Sequence, residues 1–255
     1  MTSTTVTPHA KIEAVLFDMD GLMIDRVLEP WGKTMTWDIK RDLMGRPGVR
    51  KLSPSRVCAK DSQFDQIASQ HDAARCLIEA TGIDITPEEF MSRMQKRLNE
   101  VFQTVQPLPG VVKLVHHLKK HNIPIAFEPQ IATGSKTDNY QIKTKHLGHL
   151  FEPFGANVLC GDDPRLEGKG KPDPTIFIEA AKLLGITTPE GRAKCLVFED
   201  GAPGVRAGRA AGMEVVWIPD EELIKVMGDG HDLHEVHTHT TMDHFVPEKW
   251  GLPPY

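Results

Sequence analysis

Val15-Leu16-Phe17-Asp18-Met19-Asp20-Gly21-Leu22-Met23-Ile24-Asp25 decides how the rest of the chain is read. A short apolar run ends in two carboxylates two residues apart, followed at once by glycine. Val15, Leu16 and Phe17 have the character of a strand buried on both faces. Asp18 and Asp20 then fall where such a strand opens into a loop, the place where open α/β sheets bind ligands. Asp and Gly are also common turn residues, so an ordinary strand-end turn remains the alternative on this stretch alone.

Working outward, residues 26–107 contain helical patterns and loops but no convincing buried strand. Glu88 to Phe102 is the clearest helix, with Phe90, Met91, Met94, Leu98, Val101 and Phe102 at three- and four-residue spacings and Pro87 suited to its first turn. Between Pro47 and Gln70 the chain is polar and aperiodic and reads as a loop or disordered segment. From Leu108 onward, helices and apolar runs alternate. Helices are expected over Gly110 to His121, Pro174 to Leu184 and 203–211; strands over Ile123 to Phe127, Ile131–Ala132, Asn157 to Cys160, Leu196 to Phe198 and Glu214 to Ile218. That alternation predicts an α/β fold with a doubly wound parallel, Rossmann-like sheet.

Bulk properties narrow the function. A chain of 255 residues suits one domain carrying a smaller insertion. A formal charge of −5 gives no basic footprint, so no nucleic-acid partner is expected. No stretch reaches the ~18 apolar residues of a membrane helix, and Met1 to Lys11 lacks the apolar core of a signal peptide. Cys58, Cys76, Cys160 and Cys195 have no paired spacing and read as free thiols in a reducing compartment, cytoplasmic or also nuclear. His231, His234, His237, His239 and His244 crowd one region, but a polar, Gly-flanked loop explains them without a zinc centre.

Four pieces carry the chemistry: Asp18-x-Asp20-Gly21, Thr133 with Gly134 after an apolar run, Lys171 in Gly-Lys-Pro-Asp-Pro, and Glu199-Asp200 after another apolar run. Separately each has an ordinary explanation: Lys171 as a solvated lysine, Thr133 as a helix N-cap, Glu199-Asp200 as a turn. Together, in this order, they resemble the haloacid dehalogenase-like phosphohydrolases over nearly the whole chain. The resemblance implies that Asp18 attacks phosphorus to form an aspartyl-phosphate. Asp20 would protonate the departing alkoxide and then activate water. Mg2+ would be held by Asp18, the Asp20 backbone carbonyl, Glu199 and Asp200, while Lys171, Thr133 and Gly134 bind the phosphoryl oxygens. The true dehalogenases lack an acid at the position of Asp20 and the ion-pump ATPases carry threonine; aspartate resembles the phosphatase and phosphomutase branches.

Phe17 to Leu22, Thr36 to Lys40 with Met44-Gly45, Cys195 to Asp200, Ala210 to Met213 and Pro247 to Pro254 further resemble the pseudouridine 5′-phosphatase-like group. That implies pseudouridine 5′-phosphate as substrate. A sugar- or polyol-phosphate phosphatase, a phosphomutase, and an inactive or impaired family member remain alternatives. The resemblance divides the chain into a core of 1–26 and 108–255 and a helical cap of 27–107, with a disordered insert over 49–71. The expected partner is a small phosphorylated metabolite, with no membrane, and a monomer is expected, although the sequence does not give the oligomeric state. Arg46 is a candidate for substrate selection, with a solvated arginine as its alternative.

Departures from the family pattern concentrate in the cap. Arg26 leads in about ten residues to Trp37 where a long helix is usual, Pro30 and Gly32 spoil what remains of it, and Val49 to His71 is extra. The pattern is that of a damaged or mis-spliced cap. Phe127-Glu-Pro-Gln130 is wedged between Ala126 and Ile131; its removal would leave a continuous Ile-Pro-Ile-Ala-Ile-Ala-Thr-Gly-Ser. Proline cannot donate to a sheet ladder, so a bulge or a restart of the strand at Ile131 is expected there. Gly201 replaces the small polar residue or alanine usual after Glu-Asp, a change expected to be harmless.

Overall fold

The computed structural model describes residues 11–25, 74–75, 78–79, 84–128, 137–227, 233 and 236–255. The chain divides into two compact units, Met1–Arg26 with Val105–Tyr255, and Val27–Thr104. Where the first unit is left and re-entered, the two crossing segments run side by side. Asp25 N–H donates to the Gln106 carbonyl at 2.8 Å and Leu108 N–H to that of Met23 at 3.0 Å.

The first unit is built on a parallel sheet. Its strands are β1 (Ala14–Asp18), β2 (Ile125–Glu128), β3 (Cys195–Glu199), β4 (Glu214–Trp217) and β5 (His237–Thr238), in the spatial order β2-β1-β3-β4-β5. Every pairing is parallel. Parallel neighbours require crossovers, and helices α2 (Val111–Lys120), α5 (Thr175–Leu183) and α6 (Ala202–Ala210) supply them. Each buries one apolar stripe: Val111, Leu114, Val115 and Leu118 in α2; Ile176, Phe177, Ala180 and Ala181 in α5. Helix α3 (Thr137–Thr144), followed by the single-turn α4 (Gly148–Phe151), lies between β2 and α5 in the chain and buries a different kind of side chain, Lys143.

The doubly wound sheet expected from the alternation is present. Phe127 and Glu128 close β2 in an unbroken ladder, in register with Phe17 and Asp18. They are strand residues, not the start of a wedge. The reason is packing: Phe127 is fully buried, with its ring 4.7 Å from that of Phe154. Phe17 stacks on Phe198 of β3 at 5.2 Å. Ile131–Ala132 lies outside the described residues. Asn157 to Cys160, expected as a strand, forms a single bridge among the described residues, Phe127 to Val158. Conversely, His237–Thr238 pairs with β4, a strand hidden by its polar composition.

In the second unit, α1 (Pro87–Phe102) buries Phe90, Met94, Leu98 and Phe102. The Thr86 hydroxyl caps it by accepting from Glu89 N–H at 3.1 Å, and Pro87 occupies the first turn, where its missing N–H costs nothing. No helix among the described residues is long and apolar enough to cross a membrane.

Candidate active site

Three adjacent strands end in the same dipeptide pattern: Phe17-Asp18 on β1, Phe127-Glu128 on β2 and Phe198-Glu199 on β3. Register aligns Phe17 with both Phe127 and Phe198. Because successive side chains point to opposite faces of a sheet, the three aromatics enter one layer and the three acids converge on the other. Asp18, Glu128 and Glu199 offer oxygens that all lie within 4.8 Å of one another, and all three are buried.

Lys171, in the loop before α5, reaches into this cluster. Its Nζ donates to Asp18 Oδ1 at 2.7 Å and to Glu199 Oε1 at 2.6 Å, and pairs also with Glu128. Burial alone would lower the Lys171 ammonium, but Asp18, Glu128 and Glu199 outweigh it and hold the group well above its usual range. Asp18 moves the opposite way: burial raises it well above an ordinary aspartate, Lys171 opposes, and Glu199, Glu128 and Asp200 reinforce the rise. Burial likewise pushes Glu128 up to about 8 against the pull of Lys171.

The ends of β1 and β3 are closely supported. Gly21, with φ of 89°, turns the chain just after Asp20 in a conformation that suits glycine, and Gly21 N–H donates to the Ile24 carbonyl at 3.0 Å. Gly201 N–H donates to Glu199 Oε2 at 2.6 Å. A Cβ on Gly204 would coincide with the Glu199 carboxyl, so a larger residue there requires Glu199 or α6 to shift. Trp217 Nε1 donates to the Asp200 carbonyl at 2.9 Å, tying β4 to the same strand end.

Of the residues singled out by sequence, Asp18, Lys171 and Glu199 come together directly. Asp200 is buried beside them and acts on Asp18 through its charge. Asp20 stands slightly apart, accepting from Lys143 Nζ at 2.7 Å through Oδ1. Thr133, Gly134 and Arg46 lie outside the described residues, as do His231 and His234. Two site residues escaped the sequence reading. Glu128 lies in the four-residue stretch that reads as a wedge, although the Phe-acid pair recurs in the sequence at 17–18, 127–128 and 198–199. Lys143 is three residues after Tyr140 and four before the buried Leu147, a spacing that places it on the inward face of α3.

The donor set suits a hard cation. Asp18, Glu128 and Glu199 present only oxygen ligands, and Asp18 Oδ2 is buried with no hydrogen-bond partner among the described residues. Such oxygen clusters favour magnesium or calcium over softer metals.

A parallel α/β sheet with acids, a lysine and a strand-loop Asp-x-Asp-Gly at its carboxyl ends defines an enzyme of the doubly wound class. The chain belongs to the haloacid dehalogenase-like hydrolases, whose family model matches residues 12–212. It is 34% identical over 259 residues to (DL)-glycerol-3-phosphatase 2 of Arabidopsis thaliana, covering 97% of this chain and 94% of the relative. It is equally 34% identical over 238 residues to a probable pseudouridine-5′-phosphatase of Saccharomyces cerevisiae, covering 88% and 89%. In fold it is similar to a haloacid dehalogenase family hydrolase of Deinococcus radiodurans solved with bound phosphate and sodium. That match has a TM-score of 0.65 at 22% identity and covers 96% of this chain and all of the other.

Proposed function

We propose that the protein is a magnesium-dependent phosphatase acting on a small phosphate monoester, with pseudouridine 5′-phosphate as the first candidate substrate. The observation that carries this reading is Asp18 at the end of β1, 2.7 Å from the Lys171 ammonium, with Asp20 two residues further on. An Asp18 oxygen attacks phosphorus as the bond to the leaving alkoxide breaks, and Asp20 gives that alkoxide its proton. Water then attacks the aspartyl-phosphate phosphorus, passes a proton to Asp20, and releases phosphate with Asp18 restored.

A phosphate dianion is repelled by the carboxylates that surround it here. Lys171 offsets part of that repulsion at the phosphoryl oxygens. Asp18, Glu199, Asp200 and the Asp20 carbonyl would hold magnesium, with Glu128 close enough to join them; the ion supplies the further positive charge that the transferring group requires. Thr133 and Gly134 are proposed to bind phosphoryl oxygens, Arg46 to select the substrate, and 27–107 to form the cap. The relatives' names support both a nucleotide and a polyol phosphate as the substrate class, so substrate choice rests on the subgroup motifs alone.

A second reading follows from Glu128. Its carboxyl group lies against the ammonium that an incoming phosphate needs, which favours a slow or impaired enzyme over an efficient one.

The test is phosphate release, with magnesium and with chelator, from pseudouridine 5′-phosphate, uridine 5′-phosphate, glycerol phosphate and sugar phosphates. Magnesium-dependent turnover led by pseudouridine 5′-phosphate is the expected result, and Asp18→Asn should reduce it to background while the fold persists. A different preferred substrate keeps the reaction and moves the assignment. Folded protein that releases phosphate from none of them would establish the impaired reading. Full activity in D18N would remove Asp18 as nucleophile.

A further inference from the structure

Lys143 is a buried cation that the reaction as described does not use. Its side chain is fully enclosed, on a helix whose other side chains are at least partly exposed. Enclosing an ammonium is costly, and an apolar residue of similar volume at such a place is often neutral or stabilising. Stability therefore gives a weak reason for lysine here. The geometry gives a stronger one: Lys143 Nζ donates to Asp20 Oδ1 at 2.7 Å, across 123 positions of sequence. Burial lowers the Lys143 ammonium from its usual range, and the Asp20 charge works against that fall.

Asp20 needs an external anchor because of where it sits. It follows β1 in a tight turn, whose backbone is fixed by Met23 N–H to the Met19 carbonyl at 2.9 Å and by Gly21 N–H to that of Ile24. Those bonds place the Asp20 backbone, and the Lys143 ammonium is one of the contacts that hold its side chain. A group that passes a proton must meet the leaving-group oxygen within hydrogen-bond reach, and errors of about 1 Å in such placement are costly in rate.

We propose that Lys143 is a positioning residue, orienting the Asp20 carboxyl for proton transfer to the leaving-group oxygen. This rests on Asp20 being the general acid of the phosphatase reading above. Lys171 and Lys143 then have separate tasks: one faces the phosphoryl group and its nucleophile, the other the acid.

Leaving groups separate this role from simple support of the fold. A nitrophenolate departs without needing a proton, whereas an alkoxide requires one. The measured quantity is kcat/KM, which is insensitive to the later hydrolysis of the phosphoenzyme, for p-nitrophenyl phosphate and for an alkyl phosphate that the native protein hydrolyses. Lys143→Met should lose about 100-fold on the alkyl phosphate, the lower range of general-acid effects, and only a few-fold on the aryl phosphate. Lys143→Arg should recover most of the alkyl rate. Thermal unfolding of each variant is recorded alongside, and if K143M does not fold, Lys143→Gln, which keeps a donor of shorter reach, carries the same comparison. Equal losses on both substrates, or no loss on either, would overturn the proposal. Native protein silent on every substrate would instead bring down the phosphatase reading and this proposal with it; active native protein with an unchanged alkyl-to-aryl ratio in the variant overturns the role of Lys143 alone.

Discussion

Strands β2 and β3 flank β1 on either side, and each ends in a glutamate that pairs with Lys171, yet the two ends are differently made. Glu199 accepts from Gly201 N–H through one oxygen and from Lys171 through the other. It has a glycine-faced helix behind it. Glu128 is as deeply buried and meets the same ammonium, but beyond that ammonium neither of its oxygens has a hydrogen-bond partner among the described residues. Among the described residues, one carboxylate has a built receptacle and the other has only a counter-charge. Buried ion pairs without supporting hydrogen bonds contribute little or are destabilising. The contrast therefore separates a residue on which the site depends from one that the site tolerates.

The largest effect should come from the receptacle. Gly204→Ala puts a methyl group where the Glu199 carboxyl stands, so either α6 retreats from β3 or Glu199 leaves Lys171. Overpacking of this kind costs about 1–3 kcal/mol, occasionally more, and urea unfolding should place G204A at or beyond the upper end. Phosphate release should fall with it, since Glu199 cannot move without disturbing the Lys171 contacts. A G204A protein as stable and as active as the native one would show that the close approach of α6 is dispensable.

Glu128 should behave in the opposite sense. Its folded-state carboxyl titrates at about 8 against 4.5 for an ordinary glutamate, so between those values the folded state holds more protons than the unfolded one. Stability must then fall as pH rises through that window, being greatest below about 4.5 as far as this group is concerned and fully reduced above about 8. Asp18, also raised, adds in the same direction. In chelator, native protein should lose stability from pH 5 to pH 8 on the order of a few kcal/mol. Glu128→Gln should flatten much of that slope and be the more stable of the two at pH 8. A native profile that does not decline would refute the unsupported state of Glu128.

The same contrast marks what the sequence disclosed. Asp18 and Glu199 were legible because each ends an apolar strand and a turn or helix follows; Lys171, in a loop that no strand precedes, stood out only through the order of the four motif pieces. Helices α1, α2, α5 and α6 were legible from their apolar spacing within about two residues. Glu128 was hidden because the Pro129 beside it argues against a strand, and local propensity cannot show that a fully buried Phe127 fixes the register through to residue 128. Lys143 was hidden for a different reason. A lysine at a core position breaks the apolar pattern by which α3 would be recognised, and its partner Asp20 is distant in the chain. The two-residue β5 carries no hydrophobic alternation to detect and exists through pairing with β4.

The smallest effect sharpens the comparison most, because it lies three residues from the largest. Gly201 also touches Glu199, yet through its backbone N–H, and a Cβ there would rest 3.5 Å from Glu199 Oε2, an ordinary contact. Its φ of −98° and ψ of 138° are open to any residue. Gly201→Ala gives up a favourable N-cap of α6 for a poorer one and gains a comparable few tenths of a kcal/mol from the less flexible unfolded chain. The balance should lie within about 0.5 kcal/mol by urea unfolding, with phosphate release retained. Gly201→Ser restores a capping oxygen and should be at least as stable as native protein. Were G201A to be as damaging as G204A, the whole β3–α6 corner would be intolerant of added bulk, and the supported state of Glu199 could not be credited to the close approach at Gly204.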